Sequence, residues 1–296
     1  MTAELSVIIP SVNDYTDLQG CLRALQDQES ADLEVIVVDR IGEALRSATA
    51  REFPEVAVLP VAADSTIPQM RAAGIAKATA PAIGVIEDHV LVPPNWARQM
   101  LDVLAQGNDV VGGSIENAAT ETLIDWAAFL CEYSGCIKPL PAGESTWLPG
   151  NNIVYRDSVL AKFESVLSEG RWENHLHDAM RGDGIKLIMR PEIEVGHKMH
   201  YTFGLYFSQR YLYARSFAGG RVQDSSKVKR LAYGAAALLL PPLLYARTVR
   251  SIRSKGRHKN QLIKSLPLFA CFVVAWGWGE MVGAWFGPGN ALSRVR

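Results

Sequence analysis

Four short apolar runs at near-regular spacing limit what this chain can fold into. Leu5–Pro10 (LSVIIP), Leu33–Asp39 (LEVIVVD), Val56–Pro60 (VAVLP) and Ala82–Ile86 (AIGVI) are rich in β-branched residues. Each is too short for a helix and almost continuously apolar, the pattern of a strand buried in a parallel sheet. A helix is predicted from about Asp14 to Gln28, with Leu18, Cys21, Leu22 and Leu25 on one face, and another over residues 66–79. A third, from Trp96 to about Ala105, leads to a fifth run, Asp109-Val110-Val111-Gly112-Gly113. Strand–helix alternation predicts an α/β fold, a mostly parallel sheet with helices on both faces. Such sheets bind ligands at the carboxyl ends of their strands. Asp39 closes the second run, and Glu87-Asp88-His89 follows the fourth. The first strand leads into Pro10-Ser11-Val12-Asn13 rather than G-x-G-x-x-G, which argues against a dinucleotide oxidoreductase.

Charge divides the chain near residue 224. Residues 1–224 carry 18 Lys/Arg against 30 Asp/Glu, a net of −12, whereas residues 225–264 carry ten Lys/Arg and no acid. The basic residues flank apolar segments, 231–246 with Pro241-Pro242 inside and 265–293 with only Glu280 among its acids. That setting points to anionic membrane lipid, not to nucleic acid, as the partner of the tail. A span needs about 20 apolar residues, so the second segment is long enough to cross and the first is marginal. Both ends of the first segment are basic, and the positive-inside rule puts both on the cytoplasmic side. The expectation is therefore a body, 1–224, on the cytoplasmic face and a membrane-associated helical tail, 225–296, with an in-plane or re-entrant element kinked at the prolines. Two buried helices of a soluble domain are the competing reading. The aromatic stretch at 200–220 reads as core or interface packing. Cys21, Cys131, Cys136 and Cys271 have neither CxxC nor zinc spacing and read as reduced thiols. The N-terminus lacks the basic and apolar regions of a signal peptide.

Between residues 114 and 200 the pattern is mixed, with a helix near 118–134, a Pro/Gly-rich loop at 138–151, then helices and short strands. The order of segments across residues 4–200 resembles the inverting family 2 glycosyltransferases of the GT-A fold. LSVIIPSVND is similar to the family's first strand and nucleotide loop, and VIVVD to the strand whose terminal Asp binds the base. MRAAGIAKATAPAIGVIEDHVLVPPNW resembles the stretch that reads R-N-x-G, strand, D-x-D, then a proline segment and Trp. WLPGNNIVYRDSVL resembles the acceptor-side G-N-N segment, and RWENHLHDAMRGDGIKLIMRPEIEVGHK the acidic catalytic helix, glycine turn and strand leading to a histidine. Four departures stand out: Arg40 replaces a second Asp, Ala72 the asparagine of R-N-x-G, Glu87 and His89 the outer positions of D-x-D, and Glu173-Asn174 the usual Glu-Asp.

The resemblance implies transfer of a sugar from a nucleoside-diphosphate sugar to a lipid-linked or saccharide acceptor, with a divalent metal, Mn²⁺ or Mg²⁺, countering the charge of the leaving diphosphate. It implies donor binding by Pro10, Ser11, Asn13, Asp39, Arg71 and Asp88. Side chains alternate along an extended segment, so Glu87 and His89 should face one way and Asp88 the other. Glu87 and His89 then take the metal-binding role, with His197 as a further ligand. An imidazole in an oxygen-rich set tilts the choice toward Mn²⁺. Direct contact of His89 with sugar or diphosphate, or a purely structural turn, are its other readings, and a lone His197 is as readily structural. The general base falls to Glu173, because Asn174 cannot accept a proton; a glutamate serving only the helix dipole is the bland alternative. His175 and His177 are the fallbacks. Trp147, Asn151, Asn152 and Trp172 are expected at the acceptor. The altered motifs also keep open a non-catalytic sugar-nucleotide-binding partner of another membrane glycosylation enzyme.

Overall fold

Strand β1 (Leu5–Ser11) is buried along its whole length and pairs in parallel with β2 (Leu33–Asp39), Leu5 opposite Leu33 and Ser11 opposite Asp39. The computed structural model describes residues 3–296. In chain order the elements after β1 are α1 (Tyr15–Gln26), β2, α2 (Glu43–Glu52), β3 (Ala57–Pro60), α3 (Ile67–Ile75), β4 (Ala82–Ile86), β5 (Val90–Leu91), α4 (Trp96–Ala105) and β6 (Val110–Asn117). Then come α5 (Leu123–Tyr133), β7 (Gly143–Ser145), β8 (Asn152–Arg156), the short α6 (Asp157–Leu160) and α7 (Glu164–Ser168), α8 (Glu173–Gly182) and β9 (Leu187–His197). Helices α9 (Phe203–Arg221), α10 (Lys227–Ala236), α11 (Leu240–Lys255) and α12 (Lys259–Phe286) complete the chain. Two compact units result, one of residues 1–118 and 136–198, the other of residues 119–135 and 199–296.

The first unit holds one sheet in the order β3-β2-β1-β4-β8-β6-β9-β5, with β7 on β9. The expectation of a mostly parallel sheet needs correction. Strands β3, β2, β1 and β4 are parallel, but β8 runs antiparallel between β4 and β6, and β5 and β7 run antiparallel to β9. The sheet is mixed because an apolar run records burial on both faces and carries no information about strand direction. Helix α2 has no counterpart in the sequence reading. Its sequence, EALRSATARE, buries only Leu45 and Thr49, so its apolar periodicity is faint. Helix α3 lies close against β1 and β2 because Gly74 faces them; a Cβ there would come within 2.9 Å of Val38 Cγ2 and closer still to Ile8.

Asn152, expected at the acceptor, is instead a clamp within the sheet. Its side chain is fully buried, accepts from Trp96 Nε1 at 3.0 Å, and donates to the carbonyls of Ser114 and Ile193, each at 2.9 Å. Those carbonyls flank the register shift between β6 and β9. A polar group buried there stays because both amide hydrogens and the oxygen have partners.

The second unit is helical, with α9, α10 and α11 all packed on α12. Tyr206 meets Phe272 edge-on at 4.6 Å between ring centroids and donates its hydroxyl to Ala128 O at 3.0 Å. The apolar segment 231–246 is split between α10, a 3₁₀ turn at 237–239, and α11. Pro241 and Pro242 fall in the first turn of α11, where a missing N–H leaves no intrahelical bond unmade. Among the described residues one helix, α12, is long and apolar enough to cross a membrane, a criterion that the core helix of a soluble bundle also meets.

Candidate active site

Glu87 and His89 come together after β4, but through a turn rather than the expected extended segment: Asp88 and His89 lie in a turn closed by Val90 N donating to Glu87 O at 3.1 Å. Glu87 Oε2 lies 3.4 Å from His89 Nε2, while the Asp88 carboxylate turns away into the protein. There it accepts from Val12 N at 2.7 Å, Asn13 N at 2.9 Å and Asn13 Nδ2 at 2.9 Å. Its Oδ1 also lies 2.9 Å from His89 Nδ1. Asp88 therefore ties the loop after β1 to the ring of His89, and its carboxylate is consumed by those contacts. When Nδ1 donates to Asp88, Nε2 is the nitrogen left to face the site, which is how outer carboxylates orient metal-binding histidines.

His197 reaches the same place from the far end of the chain. Antiparallel pairing of β5 with β9 sets Val90 opposite His197, and Lys198 N donates to His89 O at 2.9 Å. The two imidazoles meet edge-on, Nε2 to Nε2 at 2.8 Å, and His197 Nε2 is 3.8 Å from Glu87 Oε2. One oxygen and two nitrogens thus converge within 4.8 Å of one another. Burial would raise the Glu87 carboxyl, but the hydrogen bond and charge of His89, with His197 and Arg71, hold it well below the ordinary carboxylate range. Burial works against charge on His89, yet Asp88 and Glu87 lift its ring to about 10. Burial and the neighbouring His89 press His197 down to about 3, so it is the neutral partner. A proton thus sits where two imidazole nitrogens face each other beside a carboxylate. That donor set fits a divalent cation, whose arrival would displace the proton.

Arg71 of α3 joins this cluster to the catalytic candidate. Its Nη1 is 2.6 Å from Glu173 Oε2 and its Nη2 is 3.8 Å from Glu87 Oε1. Its guanidinium lies 5.8 Å from the Trp172 ring centroid. Glu173 is the first residue of α8, where the helix dipole favours a carboxylate. Asn151 donates to Glu87 Oε2 at 2.8 Å. Gly150, Arg71, Tyr155, Trp172 and Glu173 line one pocket. Sequence reasoning missed what Gly150 does: a Cβ on it would come within 2.6 Å of Glu173 Oε1, and nearer still to Cδ. The glycine beside Asn151 was visible in the G-N-N segment, but the clearance it provides exists only in three dimensions.

The remaining expected residues take different positions. Asp39 is fully buried at the end of β2, accepts from Ile41 N at 2.8 Å and pairs with Arg46 at 2.9 Å. Pro10 and Ser11 are buried in β1, with Ser11 in register with Asp39. Arg40, at the departure next to Asp39, donates to Ser65 O at 2.7 Å. Trp147 stands on the surface, 41% exposed. Of the two fallback bases, His177 is buried with Nε2 2.8 Å from the Tyr155 hydroxyl, which keeps it from an acceptor, and burial lowers its ring to about 4. His175 is exposed on α8 and lines the same pocket as Arg71, Trp172 and Glu173.

A half-sheet of four parallel strands within a mixed sheet, with an acid–histidine cluster after one strand's carboxyl end, fits the GT-A fold of glycosyltransferases. Residues 6–160 match the model of glycosyl transferase family 2, and the chain belongs to that family. No curated protein matches the sequence. Among solved structures, the fold is similar to that of the mannosyltransferase PcManGT from Pyrobaculum calidifontis, solved in complex with GDP-Man and Mn²⁺. That likeness has a TM-score of 0.56 at 12% identity, over 95% of this chain and 88% of the other, and at this identity it speaks for the fold.

Proposed function

We propose that this protein is an inverting, metal-dependent glycosyltransferase that moves a sugar from a nucleoside-diphosphate sugar to a lipid-linked or saccharide acceptor at the cytoplasmic face of a membrane. The observation that carries this reading is the continuous line from His197 and His89 through Glu87 and Arg71 to Glu173. Glu87, His89 and His197 would hold Mn²⁺ or Mg²⁺, which when bound supplies a Lewis acid for the charge of the departing diphosphate. The loop after β1 at Asn13 would face the donor's nucleotide, with Pro10 and Ser11 buried beneath it, and Asp39 shapes the turn at residues 40–42 beside it. Asp88 acts on the donor side by fixing Asn13 and orienting His89.

Arg71 binds the donor's phosphate end, exchanging part of its contact with the two carboxylates for the diphosphate oxygens. Glu173, released from part of that ion pair, takes the proton of the acceptor hydroxyl as the acceptor oxygen bonds to the anomeric carbon and the diphosphate leaves. A single displacement of this kind inverts the anomeric centre. Trp172, Trp147 and Asn151 shape the acceptor side, where Trp172 offers an aromatic face beside Glu173. In this reading the acidic body, residues 1–224, faces the cytoplasm and the basic tail meets the membrane.

GDP-mannose is the first donor to try, since the structural neighbour was solved with it. The test is a screen of labelled nucleotide sugars with Mn²⁺ or Mg²⁺ and lipid-phosphate or saccharide acceptors, reading transfer and nucleotide release. Donor binding without transfer or hydrolysis across the screen would favour the non-catalytic partner instead.

A further inference from the structure

The acid-free stretch 225–264 meets exposed apolar side chains in the helical unit. Val228, Leu231, Leu238, Leu239 and Leu243 of the α10–α11 run are 62–79% exposed, and Ile263 at the start of α12 is 65% exposed. Large apolar groups exposed to water are costly, and several in one short stretch mark it as one meant to be covered. The ten Lys and Arg of this stretch, with no Asp or Glu among them, give it a net positive charge. At the α11–α12 turn the two properties converge. Val249 and Arg253 of α11 and Lys259, Leu262, Ile263 and Leu266 of α12 line a groove of about 450 Å³.

We propose that this face docks on a bilayer containing anionic phospholipid, with a lipid phosphate seated between Arg253 and Lys259. The inference rests on the membrane-association part of the proposed function and is independent of the transfer chemistry. Charge complementarity selects the occupant. A guanidinium and an ammonium over an aliphatic floor match a phosphate headgroup above the first methylenes of an acyl chain. The N-terminus of α12 at Lys259 adds its dipole to the attraction for an anion. The exposed leucines of α10 and α11 would enter the headgroup–acyl boundary, as an in-plane amphipathic element does. A nucleic acid would leave those leucines in water, so the apolar half of the surface disfavours it.

The experiment uses the full-length chain in flotation with unilamellar vesicles of phosphatidylcholine alone and of phosphatidylcholine mixed with phosphatidylglycerol. Wild type should bind the mixed vesicles at least about tenfold more tightly, and the R253E/K259E double variant should lose at least about tenfold of that affinity. R253K/K259R should retain it. K77E/K162E, which changes the same charge on exposed residues of the other unit, should leave it unchanged. Circular dichroism and thermal melting confirm that each variant is folded. Equal affinity for neutral and anionic vesicles would overturn the headgroup seat while leaving membrane association standing, as would equal losses in R253E/K259E and K77E/K162E. No binding to any vesicle would overturn both. A concentration-dependent dimer in place of vesicle binding, lost on Leu239→Ser/Leu243→Ser, would show that a second copy covers this face and would likewise refute the proposal.

Discussion

Replacing Gly150 by alanine probes the candidate base without touching its chemistry. The added Cβ would stand 2.6 Å from Glu173 Oε1, where ordinary contact begins near 3.4 Å. The carboxylate must therefore retreat by about 0.8 Å or more, and it can do so because it is the end of a flexible side chain. Gly150 has no left-handed backbone to strain, so the folded state should lose no more than about 1 kcal/mol. The retreat breaks or lengthens the 2.6 Å ion pair with Arg71 and displaces the base from the acceptor. A misplacement of this size costs on the order of 10²-fold in rate when the displaced group acts in the chemical step. The assay is steady-state transfer from the donor identified by screening, alongside thermal melting and a donor-binding isotherm. The expected outcome is kcat down about a hundredfold, with melting temperature and donor affinity nearly unchanged. Wild-type kcat in Gly150→Ala would refute the placement of Glu173 at the reacting hydroxyl. Rescue by Glu173→Asp in the alanine background, whose shorter side chain restores clearance, would strengthen it.

His89→Ala should abolish the part of the thermal shift that depends on Mn²⁺; an unchanged metal-dependent shift removes His89 from the metal. Asp88→Asn puts an amide against three buried donors, so urea melts should show a loss of about 1.5–3 kcal/mol. Because the same change frees His89 Nδ1, metal titration should also weaken about 10–100-fold, and unaltered metal affinity would show that Asp88 does not orient the ring. His177 titrates at about 4 in the fold against 6.5 for the free side chain, because burial disfavours its charged form. Between those values the unfolded chain binds a proton that the native state refuses, so stability falls as pH drops through this window, by roughly 3 kcal/mol at its acid end. His177→Gln should flatten that dependence in melts at several pH values, and an equal slope in the variant would assign the effect elsewhere.

The runs of β1 and β4 announced themselves because strands covered on both faces leave little room for polar residues, whereas β3, read the same way, is an edge strand with no buried residue. β2 and β4 begin and end where the apolar runs do. That Glu87 and His89 share a side was expected from the two-residue period of extended chain, but the structure reaches it through a turn closed by Val90 N on Glu87 O, which no periodicity announces. The meeting of His89 with His197 was suggested only by family order, since their contact depends on pairing between β5, two residues long, and β9. No local pattern specifies such a pairing. The antiparallel course of β8 was hidden for a related reason: an apolar strand looks the same read in either direction. Asn152 shows the limit of motif reading. Two adjacent asparagines have the same chemistry in sequence, yet Asn151 reaches Glu87 and Asn152 closes a bulge inside the sheet. Gly150 and His177 belong to the same class, since clearance and burial are properties of neighbours that come from distant segments.

The most direct test of the central claim is donor turnover by Glu173→Gln compared with wild type, measured beside donor binding. The amide keeps the size of the side chain and removes its capacity to take a proton. Wild type should transfer sugar in the presence of Mn²⁺ or Mg²⁺, and Glu173→Gln should bind donor as well while losing about 10²–10⁴-fold in kcat. Full turnover by Glu173→Gln, or a wild type that binds donor and never transfers it, would contradict the account.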